Sequence, residues 1–416
     1  MIKVLYLSYD GLTDPLGQSQ ILPYLKGLSA RGYSFTIISF EKPDAFSKRK
    51  NLIQKICDET KIDWRPLNYT KTPPVLSTIY DLSRMNSRAS SVIRSADYQL
   101  VHVRSYIPAL VALRVKRRFG IPFIFDKRGF WIEERVEGEI WNPNNPLLAI
   151  VMQYFKKKER KFFIESEAVV SLTESAVEAI CRQQVIKMTG RELKEFKEKT
   201  FVIPCAADQN LFSFVSSDER KRAKEKIGIS PDNPVFVYLG SVGTWYLLQE
   251  ILESYRALRE VLPELWFFIF TGGDKESILR LAAQLNVPTD RMKIEFVHRE
   301  NLPDKLKLAD FSINYMRPGY SRMATSPVKI GELLSMGVPF IVNSGVGDSE
   351  SQITTLGAGM VTKPFPDEES YKILCENYST LFEVNREDVA NQAREVFSLK
   401  NAIKKYEKVY QYALKR

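Results

Sequence analysis

Apolar residues in this chain fall into short unbroken runs, and the runs alternate with stretches where apolar positions recur every three or four residues. IKVLYLSY (2–9), SFTIISF (34–40), LVHV (100–103), PFIFD (122–126) and AVVSL (168–172) are apolar at successive positions, the pattern of strands buried on both faces in a parallel sheet. Between the first two, GLTDPLGQSQ (11–20) reads as a Gly/Pro turn and SQILPYLKGLSARG (19–32) as a helix ending at Gly32, so the start of the chain predicts a βαβ unit. After TFVIPCAADQNLF (200–212) and the charged SSDERKRAKEKIGI, the pattern restarts. Strand VFVYLG (235–240), helix LLQEILESYRALREV (247–261), strand LWFFIFTGG (265–273), helix KESILRLAAQL (275–285), strand IEFVHR (294–299), helix LPDKLKLAD (302–310) and strand ADFSINYM (309–316) follow in order. The expected fold class is α/β, with two doubly wound, Rossmann-like domains at 1–205 and 206–398. A basic helix at 399–416 is expected to pack back on the first domain.

The stretch TSPVKIGELLSMGVPF (325–340) predicts one more helix and strand. Ser326 suits an N-cap, Pro327 the first helical position, and Gly337 a stop, with Val338 to Val342 as the following strand. Ile330, Leu333, Leu334 and Gly337 share the face that packs on the sheet, and Lys329 and Glu332 project together from another. The start of this helix falls at the carboxyl end of a strand, where parallel sheets bind ligands. Its free backbone N–H groups and Lys329 favour an anion such as phosphate, and Glu332 suits a diol such as ribose. An ordinary surface Lys/Glu pair, worth a few tenths of a kcal/mol, is the competing account.

At 416 residues the chain exceeds a usual single core, and 44% hydrophobic residues suffice for two. Lys and Arg outnumber Asp and Glu by 60 to 50, which favours anionic partners, although the excess reads as dispersed along the chain. Neither a basic helix-turn-helix nor an aromatic RNA-binding strand stands out, so nucleic acid is not an expected partner. Four cysteines lie far apart and only His102 and His298 are present, which argues against a zinc framework or a disulfide scaffold. The opening MIKVLYLSYDG lacks a signal peptide's organisation, and no apolar run reaches about 18 residues. The expected setting is the cytoplasm, with a peripheral place at the membrane face as an open alternative. For that alternative PLLAIVMQYFKKKERKFF (146–163) sets apolar residues before basic ones, a pattern that suits an anionic membrane or a helix with one buried face.

In its order of motifs the chain resembles the GT-B glycosyltransferases, most closely the retaining family usually called GT4. The resemblance rests on DGLTDPLGQSQILPYLKGLSARGY, FDKRGFWIEERVEGEIW, VIPCAADQNLF, YLGSVGTWY and ADFSINYMRPGYSRMATSPVKIGELLSMGVPFIVNSGVGD. It implies two domains facing a cleft, with a nucleotide sugar held mainly by the second and the acceptor entering from the first. Glu332 matches the second acid of the family's E-x7-E motif, which holds the donor ribose. Ala324 stands where the first acid would be, and the Ser-Pro-x-Lys form of a branch of the family fits Ser326, Pro327 and Lys329.

Gly240, Ser241 and Gly243 form a second phosphate-loop candidate, in which glycine lets backbone N–H groups approach an anion. The arginine and lysine that the family commonly places after this strand are replaced by Thr244, Trp245, Tyr246, Leu247 and Leu248, so a CMP-linked sugar stays open beside UDP- and GDP-sugars. Gly17 and Gln18 resemble the family's Gly-rich loop near the donor phosphates, or form an ordinary turn. His298 and Arg299 end a strand where the family reads the nucleobase. Arg322 could reach a phosphate or an acidic sugar.

On the acceptor side, Asp126 and Arg128 are the candidates for catalysis together with Lys329, and Trp131, Glu133 and Arg135 for acceptor binding; a salt-bridged loop is the alternative. No Asp-x-Asp occurs, so neither metal nor other cofactor is expected. The resemblance implies metal-independent, retaining transfer to a hydroxyl of a glycan or lipid-linked acceptor in cell-surface polysaccharide or glycoconjugate synthesis. A nucleotide-sugar epimerase or hydrolase, or a silent sugar-nucleotide-binding scaffold, are the alternatives.

Overall fold

The computed structural model describes residues 1–183 and 186–415. It divides into two compact units, Cys205–Ser398 and a larger one in which Met1–Pro204 is joined by the chain from Leu399 onward.

The larger unit is built on a seven-stranded parallel sheet of β1 (Ile2–Ser8), β2 (Tyr33–Glu41), β3 (Asp63–Asn68), β4 (Leu100–Arg104), β5 (Phe123–Asp126), β6 (Ala168–Ser171) and β7 (Thr200–Val202). Its order is β3-β2-β1-β4-β5-β6-β7, so the winding reverses between β1 and β4. Helices α1 (Pro15–Gln20), α2 (Leu22–Ser29) and α3 (Pro43–Glu59) serve the crossovers on one side of that reversal, and α4 (Leu76–Ser95), α5 (Tyr106–Phe119), α6 (Trp131–Glu137) and α7 (Pro146–Glu165) those on the other. Right-handed crossovers put the two groups on opposite faces. The carboxy-terminal helix Leu399–Lys415 packs on α2 and covers β5 and β6. Gly27 is required at that contact, because a Cβ there would collide with Ile403. Arg416 lies outside the described residues.

Where one helix was expected over 19–32, the chain makes two, beginning earlier at Pro15 and breaking at Ile21. Pro23 explains the break: it has no N–H to donate to the preceding turn and is tolerated only in a helix's first turn, so a new helix starts at Leu22.

The smaller unit holds a six-stranded parallel sheet of β8 (Val235–Leu239), β9 (Trp266–Phe270), β10 (Met292–Glu295), β11 (Phe311–Asn314), β12 (Phe340–Asn343) and β13 (Gly359–Thr362), in the order β10-β9-β8-β11-β12-β13. Its winding reverses between β8 and β11. Apolar clusters fill both sides of the sheet, one around Phe236, Tyr255, Phe267 and Phe311, the other around Val237, Ile330, Leu333 and Phe397. At such a reversal the connecting loops diverge to opposite faces and leave a crevice at the strands' carboxyl ends.

Candidate functional site

The crevice between β8 and β11 is built from two loops joined to each other. Tyr246 bridges Met316, the Arg317 N–H donates to the Trp245 carbonyl at 2.9 Å, and the Arg322 guanidinium lies 3.9 Å from the Trp245 ring centroid. Arg322 is buried within the short 3-10 turn Ser321–Ala324, and Ala324 is buried beside it. On the β8 side the chain turns at Gly240 and Gly243, whose φ values of +142° and +128° are ones that L side chains rarely adopt. The Tyr238 hydroxyl donates to the Ser241 carbonyl at 2.5 Å and pins the loop.

Into this crevice comes the helix Val328–Ser335. Its sequence expectation needs a correction at the first turn. Pro327, not Ser326, occupies the capping position and makes no side-chain cap, while the Ser326 hydroxyl accepts the Cys205 N–H at 3.1 Å. The hydroxyl is drawn away because the chain after β7 passes beside it. Gly331 lets the helix approach the ring of Phe397, where a Cβ would come within 2.9 Å.

Lys329 and Glu332, expected to project together from a second face, are both buried, at 9% and 3% exposure, which excludes the ordinary surface pair. The Lys329 ammonium sits 4.3 Å from the Tyr246 ring centroid and 4.9 Å from that of Tyr238, and has no hydrogen-bond partner among the described residues. A Cβ on Gly240 would lie 2.6 Å from its Nζ, so glycine at 240 makes the ammonium's position available. Burial pulls the Lys329 pKa down to about 7, with Glu332 opposing that shift. An unpaired ammonium in a dry site is costly, and an anion would supply the missing partner.

Glu332 lies one turn deeper and accepts from the Arg299 guanidinium at 2.5 Å. Burial raises its pKa, and Arg299 opposes the rise. His298 and Arg299 were expected at a strand end. They stand instead in an exposed turn beyond β10, His298 edge-on to Phe296 at 5.0 Å and Arg299 opening the 3-10 turn Arg299–Asn301. The strand stops at Glu295, which pairs with Phe270, the last residue of its one neighbour β9, and Phe296 beyond it is 67% exposed. The structure thus brings Gly240, Lys329 and Glu332 to one crevice, with Arg322 and Arg299 at its walls. Tyr238, Tyr246 and Trp245, which line it, carried no signal beyond being aromatic residues in and after a strand.

In the larger unit, Gly17 lies inside α1, where a Cβ would collide with the Gly11 carbonyl. Gln18 is held by its own loop, donating to the Thr13 carbonyl at 2.9 Å and accepting from Arg49 at 2.8 Å. The same loop is clamped by Glu41, a buried carboxylate at the end of β2. It accepts the backbone N–H of Leu12 at 2.8 Å and of Thr13 at 3.0 Å, and the hydroxyls of Thr13 and Ser39 at 2.6 Å each. Sequence reasoning missed Glu41, since an acid ending an apolar strand looks like a solvated terminus.

Asp126 ends β5 and is 2% exposed, so it sits inside the domain and not at an open acceptor surface. The Tyr406 hydroxyl of the carboxy-terminal helix donates to it at 3.0 Å, His102 Nε2 lies 3.6 Å away and Arg128 3.7 Å away. Burial alone would raise its pKa, but Arg128, His102 and Arg104 outweigh that and hold it at about 2. His102 is buried with its Nδ1 2.6 Å from the Tyr410 hydroxyl, and burial lowers its pKa. Arg128 follows with φ +62°. Trp131 stacks on Tyr106 at 5.8 Å and carries the Arg135 guanidinium 3.7 Å from its ring centroid. Glu133 is buried with Lys156 3.4 Å away.

Two doubly wound domains in succession are the architecture of the GT-B fold. Residues 20–211 match the family described as Glycosyltransferase Family 4. Among solved structures, the chain is similar to a glycosyltransferase from Rickettsia africae, at 16% identity over 100% of this chain and 99% of that one, with a TM-score of 0.69. Anabaena Alr3699/HepE in complex with UDP superposes with a TM-score of 0.70 at 13% identity over 99% and 100% of the two chains. Sucrose-phosphate synthase from Thermosynechococcus elongatus gives 0.68 at 14% over 99% and 98%. No curated protein matches the chain. The matched domain and the shared fold identify it as a glycosyltransferase of GT-B fold resembling family 4.

Proposed function

We propose that the smaller unit binds the donor nucleotide sugar and that the enzyme transfers its sugar to a hydroxyl of a glycan or lipid-linked acceptor. The observation that carries this is the buried Lys329 ammonium without a hydrogen-bond partner, placed between a glycine-turned loop and a helix start. There the donor's phosphate accepts from Lys329 and from backbone N–H groups of Ser241, Val242 and Gly243 and of Val328 and Lys329, and Glu332 takes the ribose diol. Arg322 and Arg299 add charge at the rim, and the His298 turn lies where a base would extend. Anabaena Alr3699/HepE, of the same fold, holds UDP, and UDP-glucose in a further structure, which supports a uridine donor. GDP- and CMP-sugars are the other arms of the test.

Lys329, with the helix start, stabilises the charge that develops on the leaving phosphate, the task a metal performs elsewhere. The acceptor hydroxyl attacks the anomeric carbon and the bond to the phosphate breaks. If the configuration is retained, the departing phosphate oxygen itself takes the acceptor proton and no protein base is required. Arg128, Trp131, Glu133 and Arg135 form the acceptor side, with Asp126 fixing Arg128 from within. Polysaccharide or glycoconjugate synthesis is the setting this chemistry serves.

The test is incubation with UDP-, GDP- and CMP-sugars, with and without a cell-envelope lipid and glycan extract, and chromatography of the released nucleotide. Release that requires the extract and disappears in Glu332→Ala is the expected result. Release without acceptor would point to hydrolysis, and no release from any donor would overturn the transferase reading. NMR of the product's anomeric centre decides the stereochemistry, an inverted centre refuting retention.

A further inference from the structure

The positive charge that reads as dispersed along the sequence is concentrated in space. Helices α4, α5 and α7 carry twelve Lys and Arg against three acids, a surplus of nine where the whole chain has ten. Two of the three acids, Asp81 and Glu159, are buried. α5 packs between α4 and α7, so the three helices form one continuous face. Sequence order hides this, since the helices are separated by strands and loops. Among the described ion pairs, carboxylates from other elements meet the face at three points. Glu133 lies 3.4 Å from Lys156, Glu167 2.6 Å from Lys116 and Glu192 2.7 Å from Arg160, and subtracting them from nine leaves six. A groove of about 630 Å³ along α7 is lined by Lys156, Lys157, Arg160, Lys161 and Lys187, with Glu165 and Glu192.

Exposed apolar residues stand at the start of both outer helices of this face. Leu76, Ile79 and Tyr80 in the first turns of α4, and Leu147, Ile150 and Tyr154 in the first turns of α7, are exposed by between 43% and 66%. They make up six of the ten exposed large hydrophobics described in this unit. α4 follows β3, and α7 follows β5 by way of α6, so both helices begin at the carboxyl edge of the sheet. The cationic residues of α5 and α7 continue from there toward the other edge.

We propose that this face docks on an anionic lipid bilayer, the first turns of α4 and α7 entering the interface and the lysines and arginines behind them resting on the headgroups. Exposed apolar turns beside a cationic helix face match the amphipathic boundary of a bilayer, where buried apolar area and attraction to anionic lipid add. A polyanion such as nucleic acid would use the charge and leave six apolar side chains in water. The placement rests on the transferase reading in one respect only: a lipid-linked acceptor would meet the carboxyl edge of this sheet from the bilayer.

Co-sedimentation of the full chain with vesicles tests this, comparing pure phosphatidylcholine with vesicles in which about a third is phosphatidylglycerol, at low and high salt, with duplex DNA as a competitor. The expected result is binding that requires phosphatidylglycerol and weakens with salt. It should fall roughly 25-fold in Lys157→Gln/Lys161→Gln, at about fivefold per cation, and also fall in Ile79→Ser/Leu147→Ser/Ile150→Ser. All substituted side chains are at least partly exposed, and an unchanged melting temperature confirms folding of each variant. Absence of vesicle binding, equal binding to neutral vesicles, or DNA binding in its place would each overturn the proposal. Nucleotide release is read separately, so loss of the transferase reading and loss of the docking reading are distinguishable.

Discussion

Lys329 is more than nine-tenths buried, and its folded pKa of about 7 lies well below the ordinary lysine value of 10.5. Between those values the unfolded chain binds a proton that the folded chain does not, so stability must rise with pH across that window. Below pH 7 both states are protonated and the full cost of the buried charge is present; above 10.5 it is gone. Integrating the two titrations gives a gain of about 2 kcal/mol from about pH 7 to about pH 9. Lys329→Met keeps an unbranched side chain, one atom shorter, and removes the charge, so it should lack this gain and be more stable than wild type near neutrality. For a unit of this size about 2 kcal/mol corresponds to about 4–8 °C in melting temperature. Urea unfolding of both proteins at several pH values measures the difference directly. Parallel stability profiles for wild type and variant would refute the claim that an unpaired ammonium is stored at this position.

The same charge predicts that UDP binding at about pH 8 takes up close to one proton, since the diphosphate restores the Lys329 pKa; calorimetry in buffers of different ionisation enthalpy should show the uptake, and Lys329→Met should abolish it. Gly240→Ala places a Cβ 2.6 Å from Lys329 Nζ at a φ of +142°, and should cost roughly 1–3 kcal/mol in urea denaturation while weakening nucleotide binding. Glu41→Gln turns an acceptor into a donor facing the Leu12 and Thr13 N–H groups, and is expected to cost about 1.5–3 kcal/mol. Asp126, held at about 2, contributes about 2 kcal/mol that is present above about pH 4 and lost as pH falls through 2; Asp126→Asn should flatten the acid limb of the stability curve.

Strands with uninterrupted apolar runs were legible in the sequence: β1, β2, β4, β5, β6 and β8 lie within one or two residues of their expected bounds. Two of the edge strands were not. β3 reads DWRPLN and β13 reads GMVT, and each pairs with a single neighbour, so neither needs a continuous apolar sequence. Lys329 and Glu332 were legible as a pair because their spacing on one helix is a local property. Their burial was not, because it depends on Gly240, Tyr238 and Tyr246, some ninety residues earlier, and on Arg299 from another loop. For the same reason Asp126 looked available at a strand end, although the helix that covers it lies 280 residues downstream at Tyr406.

The most direct test of the central claim is thermal stabilisation of wild type, Lys329→Met and Glu332→Ala by UDP, GDP and CMP. At about 100 times Kd, one nucleotide should stabilise the wild-type protein by about 2.7 kcal/mol, and both variants should stay folded and lose that shift. A wild-type protein unmoved by all three nucleotides, or variants that keep the shift, would contradict the assignment of this crevice to a nucleotide sugar.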